Sequence, residues 1–568
     1  MLLGFSIRNF SVAASSLDLY PVNGNRLACY YMGLKHNCPL VTAEARTQAD
    51  EVPTPTDMHK LAAYIIVCLV ITLDARIVPD NYNKERRALL DEETLTAVGG
   101  KQQLSEEETI VNDILMRWKM KELNASYMNP QHFNFSKHYF SYKRDIEKSK
   151  VYQIIKSMPK GAVLHVHSSL MLHADVLVTL TYEDHLYACY TNDNLRLQFS
   201  ETIPERPCLS KWALVSDLRN SSGDPVAFDA QLKNYFTLYK DDGEDYNFVD
   251  INTVWERFNK VYYAIKSLIS YRPVREKYLY ETLKQFYNDN IMYIEIRTGL
   301  HSLYELDGTK HDKKYLAELF KNVTNKFIEE HPDFIGVKLI LTKHRAQSID
   351  QVLEALNLTR RLKAEMPDMI AGFDLVGQED LGRPLSDFLP ILSEAKDEIN
   401  FYLHAGETAW LGTSADENLV DAILLGSKRI GHGYALTKHP SLMSALIKKD
   451  IALEVNVISN VVLSLVHDVR NHPLASYLAL GLPVVLSSDD PGAWSAEPLS
   501  HDFFVAFMGI ASQHADLRML KQLAVNSITY SALDDEGKTR LFKVFNERWD
   551  RFLKDVVFNE ALADINGS

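Results

Sequence analysis

The sequence has no excess of positive charge. Its 61 lysines and arginines stand against 75 acidic residues, a formal net charge of −14. That balance argues against broad nucleic-acid binding, which needs concentrated positive charge. Nor is any early apolar run long enough to cross a bilayer as a helix. The most apolar early stretch, residues 61–73 (LAAYIIVCLVITL), has roughly 13 residues against the ~20 required. Internal repeats and low-complexity tracts are absent, and cysteine is sparse: Cys29, Cys38, Cys68, Cys189 and Cys208. What is present is ordinary for a globular protein, 46% hydrophobic and 24% charged residues. This composition supplies a sizeable core and excludes a mostly disordered chain, a collagen-like one and a polytopic membrane protein. A length of 568 residues suggests roughly two to four domains, or one large barrel with additions.

The apolar stretch has the layout of a secretory signal. Met58, His59 and Lys60 precede it, and Asp74-Ala75-Arg76 follows, with a small residue near the end. Residues 58–75 are therefore expected to be a signal peptide starting at Met58, with residues 1–57 an upstream extension. The competing reading is a buried hydrophobic helix. Removing everything through Ala75 leaves Cys189 and Cys208, an even pair that can close one short loop in an oxidising compartment. Glycosylation sequons at Asn124, Asn134, Asn220, Asn322, Asn357 and Asn566 accumulate in the same direction. Secretion is the expected localisation.

A polar region follows, with a helix start at Ser105 and Glu108, which make a capping box. Ile110, Ile114, Leu115 and Trp118 are expected on one apolar face behind it. Then short apolar runs begin: 162–167 (AVLHVH), 292–297 (MYIEIR), 337–342 (VKLILT), 370–376 (IAGFDLV), 401–404 (FYLH), 429–432 (RIGH), 452–457 (ALEVNV) and 484–487 (VVLS). Helix-like segments separate them from the second onward. Eight such runs in alternation predict an α/β fold, a (β/α)8 TIM barrel whose parallel strands are buried on both faces. The expected boundaries are an N-terminal helical region 76–155, a barrel 156–560, and an insertion 180–245 after the first strand that holds both late cysteines. Leu541, Phe545, Trp549 and Phe552 predict an amphipathic terminal helix.

Barrel enzymes place their active sites at the C-terminal ends of the strands. The first run ends in His165-Val166-His167, and residues i and i+2 of a strand point the same way. Alone, His-x-His is weak, since two histidines at a strand end are often just hydrogen-bonded. The fifth run ends in His404 with Glu407 close behind, the sixth in His432, and the eighth in Asp489-Asp490. Histidine and aspartate from separate strand ends, without thiolate, make a plausible zinc set with an open position for water. Such chemistry needs a proton carrier and a group to orient water, roles open to Glu407 and His432. Asp490 is expected to point away from Asp489 and to accept a hydrogen bond from substrate. Gly377 admits a close backbone N–H, or is a simple turn glycine.

His165-Val-His167, His404-Ala-Gly-Glu407, Arg429-Ile-Gly-His432-Gly and Ser487-Ser-Asp489-Asp490-Pro resemble the metal-dependent adenosine deaminases. MPKGAVLHVH, AGFDLVGQED, ISNVVLSLVHDVRNHP and SSDDPGAW are similar to one branch, the secreted adenosine deaminase-related growth factors, or type 2 adenosine deaminases. The resemblance runs from about Glu106 to Val557. It implies hydrolysis of adenosine and 2'-deoxyadenosine, with one zinc per subunit on His165, His167, His404 and Asp489. By it, Glu407 protonates ring nitrogen N1, His432 orients and deprotonates the attacking water, Asp490 contacts N7, and the Gly377 backbone contacts N3. Trp255 and His344 match positions lining the substrate pocket. It also implies that a Cys189–Cys208 disulfide closes an inserted domain for a cell-surface receptor or glycosaminoglycan, that the N-terminal helices build a homodimer, and that growth-factor activity accompanies catalysis.

Two positions depart from the pattern. Ser168 stands where the branch usually has an aspartate that contacts the sugar, and Gln378 stands where histidine is common. They bear on affinity and substrate preference before chemistry. The alternatives are an amidohydrolase for AMP, adenine or a non-purine ring, and a secreted signalling protein with weak or lost catalysis. No phosphate-binding glycine loop is evident, and the Pro-Cys-x-x-Cys pair of cytidine-type deaminases is missing.

Overall fold

The computed structural model describes residues 80–129, 134–191, 194–240 and 250–566, with two short segments, 19–22 and 26–29. The expected signal segment 58–75, with Cys38 and Cys68, lies outside the described residues. The chain divides into two units, residues 1–85 and 86–568. In the first, Leu19–Val22 pairs antiparallel with Arg26–Cys29.

The second unit is built on eight parallel strands: β1 (Gly161–His167), β2 (Ile291–Thr298), β3 (Gly336–His344), β4 (Ile370–Val376), β5 (His404–Ala405), β6 (Arg429–His432), β7 (Ala452–Val455) and β8 (Val484–Leu486). They form two ladders in chain order, β1 to β4 and β5 to β8. Single parallel bridges, Phe373 with Phe401 and Val166 with Asp489, join the ladders at both seams and close the ring. Their apolar runs follow from burial on both faces, and β2 is buried at all eight positions.

The fifth run differs from its expectation, because only His404 and Ala405 join the ladder. At Gly372 the incoming chain passes so near that a Cβ would meet the Asn400 carbonyl at 2.1 Å. The segment before His404 therefore leans on β4 instead of pairing along its length. The seventh run also stops early, at Val455, and a helix Val457–Val462 begins.

The outer helices follow their sequence signals. Lys313–Glu330 starts at Asp312, whose side chain accepts from the Tyr315 amide, and buries Leu316, Phe320, Val323 and Phe327 at helical spacing. Truncating Phe327, which is fully buried, would cost about 3–5 kcal/mol. The helix Glu106–Met128 carries the expected capping box at Ser105. Its buried face is Glu108, Val111, Ile114, Leu115, Lys119 and Leu123. Ile110 is 52% exposed, contrary to expectation. The reason is a pairing across the fold: Glu108 accepts from Lys521 and from the Trp549 ring N–H, which rotates that face inward. Leu541, Phe545, Trp549 and Phe552 are all buried on the terminal helix Asp535–Asn566.

Between β1 and β2 the chain inserts an antiparallel sheet of Asn194–Phe199, Leu186–Thr191 and Ala213–Leu214. Cys189 and Cys208 are disulfide-bonded there, with Cα atoms 6.0 Å apart. The helices Ile251–Leu268 and Arg272–Asn288 lead back to the barrel.

Candidate active site

Four side chains converge at the strand ends. His165 and His167 come from β1, His404 from β5, and Asp489 from the turn after β8; their ligand atoms all lie within 4.8 Å of one another. Asp489 Oδ1 is 3.1 Å from His167 Nε2 and 3.5 Å from His165 Nε2. Zinc–ligand bonds of about 2.0–2.2 Å in a tetrahedron separate ligand atoms by roughly 3.3–3.6 Å, and these two separations lie close to that range. His165 Nε2 is buried with no hydrogen-bond partner. Its Nδ1 lies 2.8 Å from Glu454 Oε2, and His404 Nδ1 lies 2.6 Å from Asp374 Oδ2. Each carboxylate accepts from Nδ1–H, which leaves the Nε2 lone pair for a cation. The donor set suits zinc, with a position left for water.

One arginine unites these carboxylates. Arg297 donates from Nε to Asp374 at 2.8 Å and from Nη2 to Glu454 at 2.6 Å. Arg429 then bonds Glu454 and Glu295, each at 2.6 Å. All five side chains are buried, and each of these charges is compensated by a neighbour among them, as burial demands.

A second group shares Asp489. His432 Nδ1 is 3.4 Å from Glu407 Oε1, and His432 Nε2 is 3.8 Å from Asp489 Oδ2. His432 and Asp489 hold φ of 61° and 59°, left-handed conformations that non-glycine residues rarely adopt and that concentrate at functional sites. Glu379 accepts from the backbone amides of Gly406 (3.1 Å) and Glu407 (2.9 Å) and from Asn418 (2.6 Å), which fixes the turn carrying Glu407. Ser459 donates to Asp489 Oδ2 at 2.8 Å.

Burial and the nearby Asp489 and Glu379 push the Glu407 carboxyl well above the usual range. Burial and Asp489 do the same to Asp490. Burial lowers His404 to about 4 and His432 well below the usual imidazole value. The site therefore sets carboxyls shifted upward beside imidazoles shifted downward, an arrangement suited to moving protons. Asp490 Oδ1 is buried without a partner and so is open to a hydrogen bond from or to a ligand; the upward shift favours its protonated form, which donates.

A cavity of about 710 Å³ opens over these groups. Ser168, Trp255, His344, Gly377 and Asp490 all line it, together with Glu407 and His432. Gly377 is more than a turn glycine. Its φ is 102°, and a Cβ there would meet the His344 ring at 2.4 Å, so the bare backbone and the imidazole share one piece of wall. Gln378 reaches instead to Asn252, donating at 2.7 Å.

Sequence reasoning missed Asp374, Glu454 and Glu379, although a carboxylate in the middle of an apolar run, as in GFDLV and ALEVN, was a signal of an interior partner. It also missed how much of the wall belongs to the helix Ile251–Leu268. Trp255, Phe258, Asn259, Tyr262 and Lys266 line the cavity at spacings of three, four, seven and eleven residues, one helical face.

Comparison with known proteins agrees with this geometry. The family described as adenosine deaminase matches residues 235–547, and the adenosine/AMP deaminase N-terminal family matches residues 62–155. Adenosine deaminase 2 of Homo sapiens is 41% identical over 481 residues, covering 84% of this chain and 94% of that protein. Adenosine deaminase of Phlebotomus duboscqi is 41% identical over 480 residues, covering 84% and 92%. Among solved structures, an Arabidopsis N6-mAMP deaminase shares the fold at 20% identity, with a TM-score of 0.50 over 70% of this chain and 99% of that one. The sequence relationship over most of both chains shows that this chain belongs to the adenosine deaminase family.

Proposed function

We propose that the chain hydrolyses adenosine and 2'-deoxyadenosine, replacing the exocyclic amine with oxygen and releasing ammonia. The observation that carries this reading is the placement of Glu407 and His432 beside the His165, His167, His404 and Asp489 cluster. Zinc, when held there, supplies the Lewis acidity that makes water acidic near neutral pH. His432 Nε2, buried and unpartnered, takes the proton of the attacking water. Glu407 gives its proton to ring nitrogen N1, which draws electron density from the carbon under attack. Asp490 donates to N7, the Gly377 amide meets N3, and Trp255 and His344 enclose the base and sugar. Ser168 offers a neutral contact to the sugar; its hydroxyl donates to Thr298 Oγ1 at 3.2 Å.

The further readings rest on narrower support. Extracellular location is supported by the Cys189–Cys208 disulfide and by exposed sequon asparagines at Asn124, Asn220, Asn322 and Asn357. Among the described residues no helix is long and apolar enough to cross a membrane. A homodimer through the region 76–155 is supported by exposed Leu89, Leu90 and Leu95. The insertion 180–245 is the proposed contact for a cell-surface receptor or glycosaminoglycan and the seat of growth-factor activity. An absorbance assay for conversion of adenosine to inosine, with and without a chelator, tests the catalytic reading. Turnover that is absent with zinc supplied, or unaffected by complete metal removal, sinks it.

A further inference from the structure

The cavity is charged unevenly. Asp489 and the carboxyls Glu407 and Asp490 line it beside the candidate metal site, and the rest of the lining includes three lysines, Lys266, Lys313 and Lys343, with the imidazole of His301. Among the described residues, the ammonium groups of Lys266, Lys313 and Lys343 have no ion pair or hydrogen bond. Lys266 rests on the Tyr262 ring at 5.5 Å. Lys313 feels repulsion from Lys343, with Glu354 as the compensating charge.

Beside Ser168 lies a cation with no counter-charge. Arg275 is fully buried. Its Nη1 donates to the Ser168 carbonyl at 3.2 Å, while Nε and Nη2 have no partner. Around it stand the rings of Tyr278 (5.2 Å) and Phe320 (5.3 Å) and the Tyr262 phenol, none of them a carboxylate. His301 Nε2 is also buried and unpartnered, and it feels both Arg275 and Lys266. Buried charges and polar groups are ordinarily paired. An uncompensated guanidinium bonded to the backbone of neutral Ser168, with Lys266 and the unpartnered His301 lining the same cavity as Ser168, is an arrangement that an incoming anion completes.

We propose that Ser168, Lys266 and His301, with Arg275 behind them, form a subsite for a phosphate ester on the sugar of an adenine nucleoside, Lys313 and Lys343 attracting it at the rim. The proposal rests on the deaminase reading, which puts the base at the floor and the sugar toward Ser168. The chain would then accept a nucleotide as well as the nucleoside, with side chains in place of a glycine loop around the phosphate.

The test uses the full zinc-loaded chain, with adenosine as substrate and chloride-matched ionic strength. Adenosine 5'-monophosphate and inorganic phosphate are added separately as competitors. Both should raise KM for adenosine without lowering kcat, the nucleotide acting at concentrations at least about tenfold lower because the base adds contacts. Lys266→Gln and Ser168→Asp should each weaken nucleotide competition about tenfold, by removing a cation or neutralising Arg275. Phosphate acting equally on parent and variants marks an adventitious ion only and overturns the proposal. Competition by phosphate but not by the nucleotide overturns it too, as does no competition beyond chloride. If adenosine itself is not turned over, the deaminase reading fails separately. Thermal stabilisation by the nucleotide, present in the parent and reduced in both variants, then decides the subsite.

Discussion

Strands β1–β4 run for 7 to 9 residues in one continuous ladder, whereas β5–β8 have 2 to 4 residues each. The short half leaves its ladder where the chemistry lies. Gly406, His432, Gly433 and Asp489 all turn through positive φ, and buried polar atoms without partners gather nearby on Glu407, His432, Ser487, Ser488 and Asp490. The long half supplies His165 and His167 from a full-length strand, whose pairing with β2 shifts register between Val163 and Val166, and its carboxylate Asp374 holds His404 across the seam between β4 and β5. Regular ladders satisfy backbone groups and make a rigid frame. Irregular exits give up ladder bonds and aim side chains at one point. Both halves supply metal ligands, but Glu407 and His432 belong to the short half alone; changes at these two are expected to strike proton transfer, while changes at Asp374 or Ser168 on the long half strike metal affinity or substrate binding.

The largest effect is expected from His404→Ala, which removes a ligand: metal analysis should find zinc lost, and turnover should vanish with it. Glu407→Gln should cost on the order of 10²–10⁴ in kcat with zinc retained, because Glu407 is a proton carrier and not a proposed ligand. Parent-level turnover by that variant would refute the mechanism. Asp374→Asn, on the long half, should weaken zinc about 10–100-fold, measured by competition with a chromogenic chelator. If it left zinc affinity intact and abolished kcat, the division between the halves would break.

The pH profile sharpens the comparison. On the acid side, the unfolded chain protonates its histidines near the usual 6.5, while buried His404 resists protonation down to about 4. The unfolded state therefore binds the extra proton in this window, and stability falls as pH falls through it. On the alkaline side, activity should fall as pH rises through the elevated value of Glu407, roughly tenfold per unit once it is deprotonated. A kcat/KM profile flat on the alkaline side in the parent would contradict the assignment of Glu407.

The effect confined to substrate binding belongs to Ser168→Asp. A carboxylate there adds a charge-assisted bond to a sugar hydroxyl, worth roughly 1.5–3 kcal/mol, so KM for adenosine should fall with kcat little changed. Steady-state kinetics showing an unchanged or higher KM would refute this reading.

The sequence by itself determined the eight strands and the terminal helices. A strand buried on both faces has to read as an apolar run, and the polar residues ending those runs are the ones that meet at the barrel mouth. The capping box at Ser105 and the spacing of Leu541, Phe545, Trp549 and Phe552 were likewise legible, because caps and helical faces are set by neighbours a few residues away. Only the tertiary structure decided that Ile110 faces outward, since Glu108 is turned inward by Lys521 and Trp549. It alone paired His165 with Glu454, 289 residues distant, and His404 with Asp374. It alone left Arg275 beside a neutral Ser168. Partnership between buried charges depends on which strands become neighbours when the ring closes, and no local pattern of residues records that.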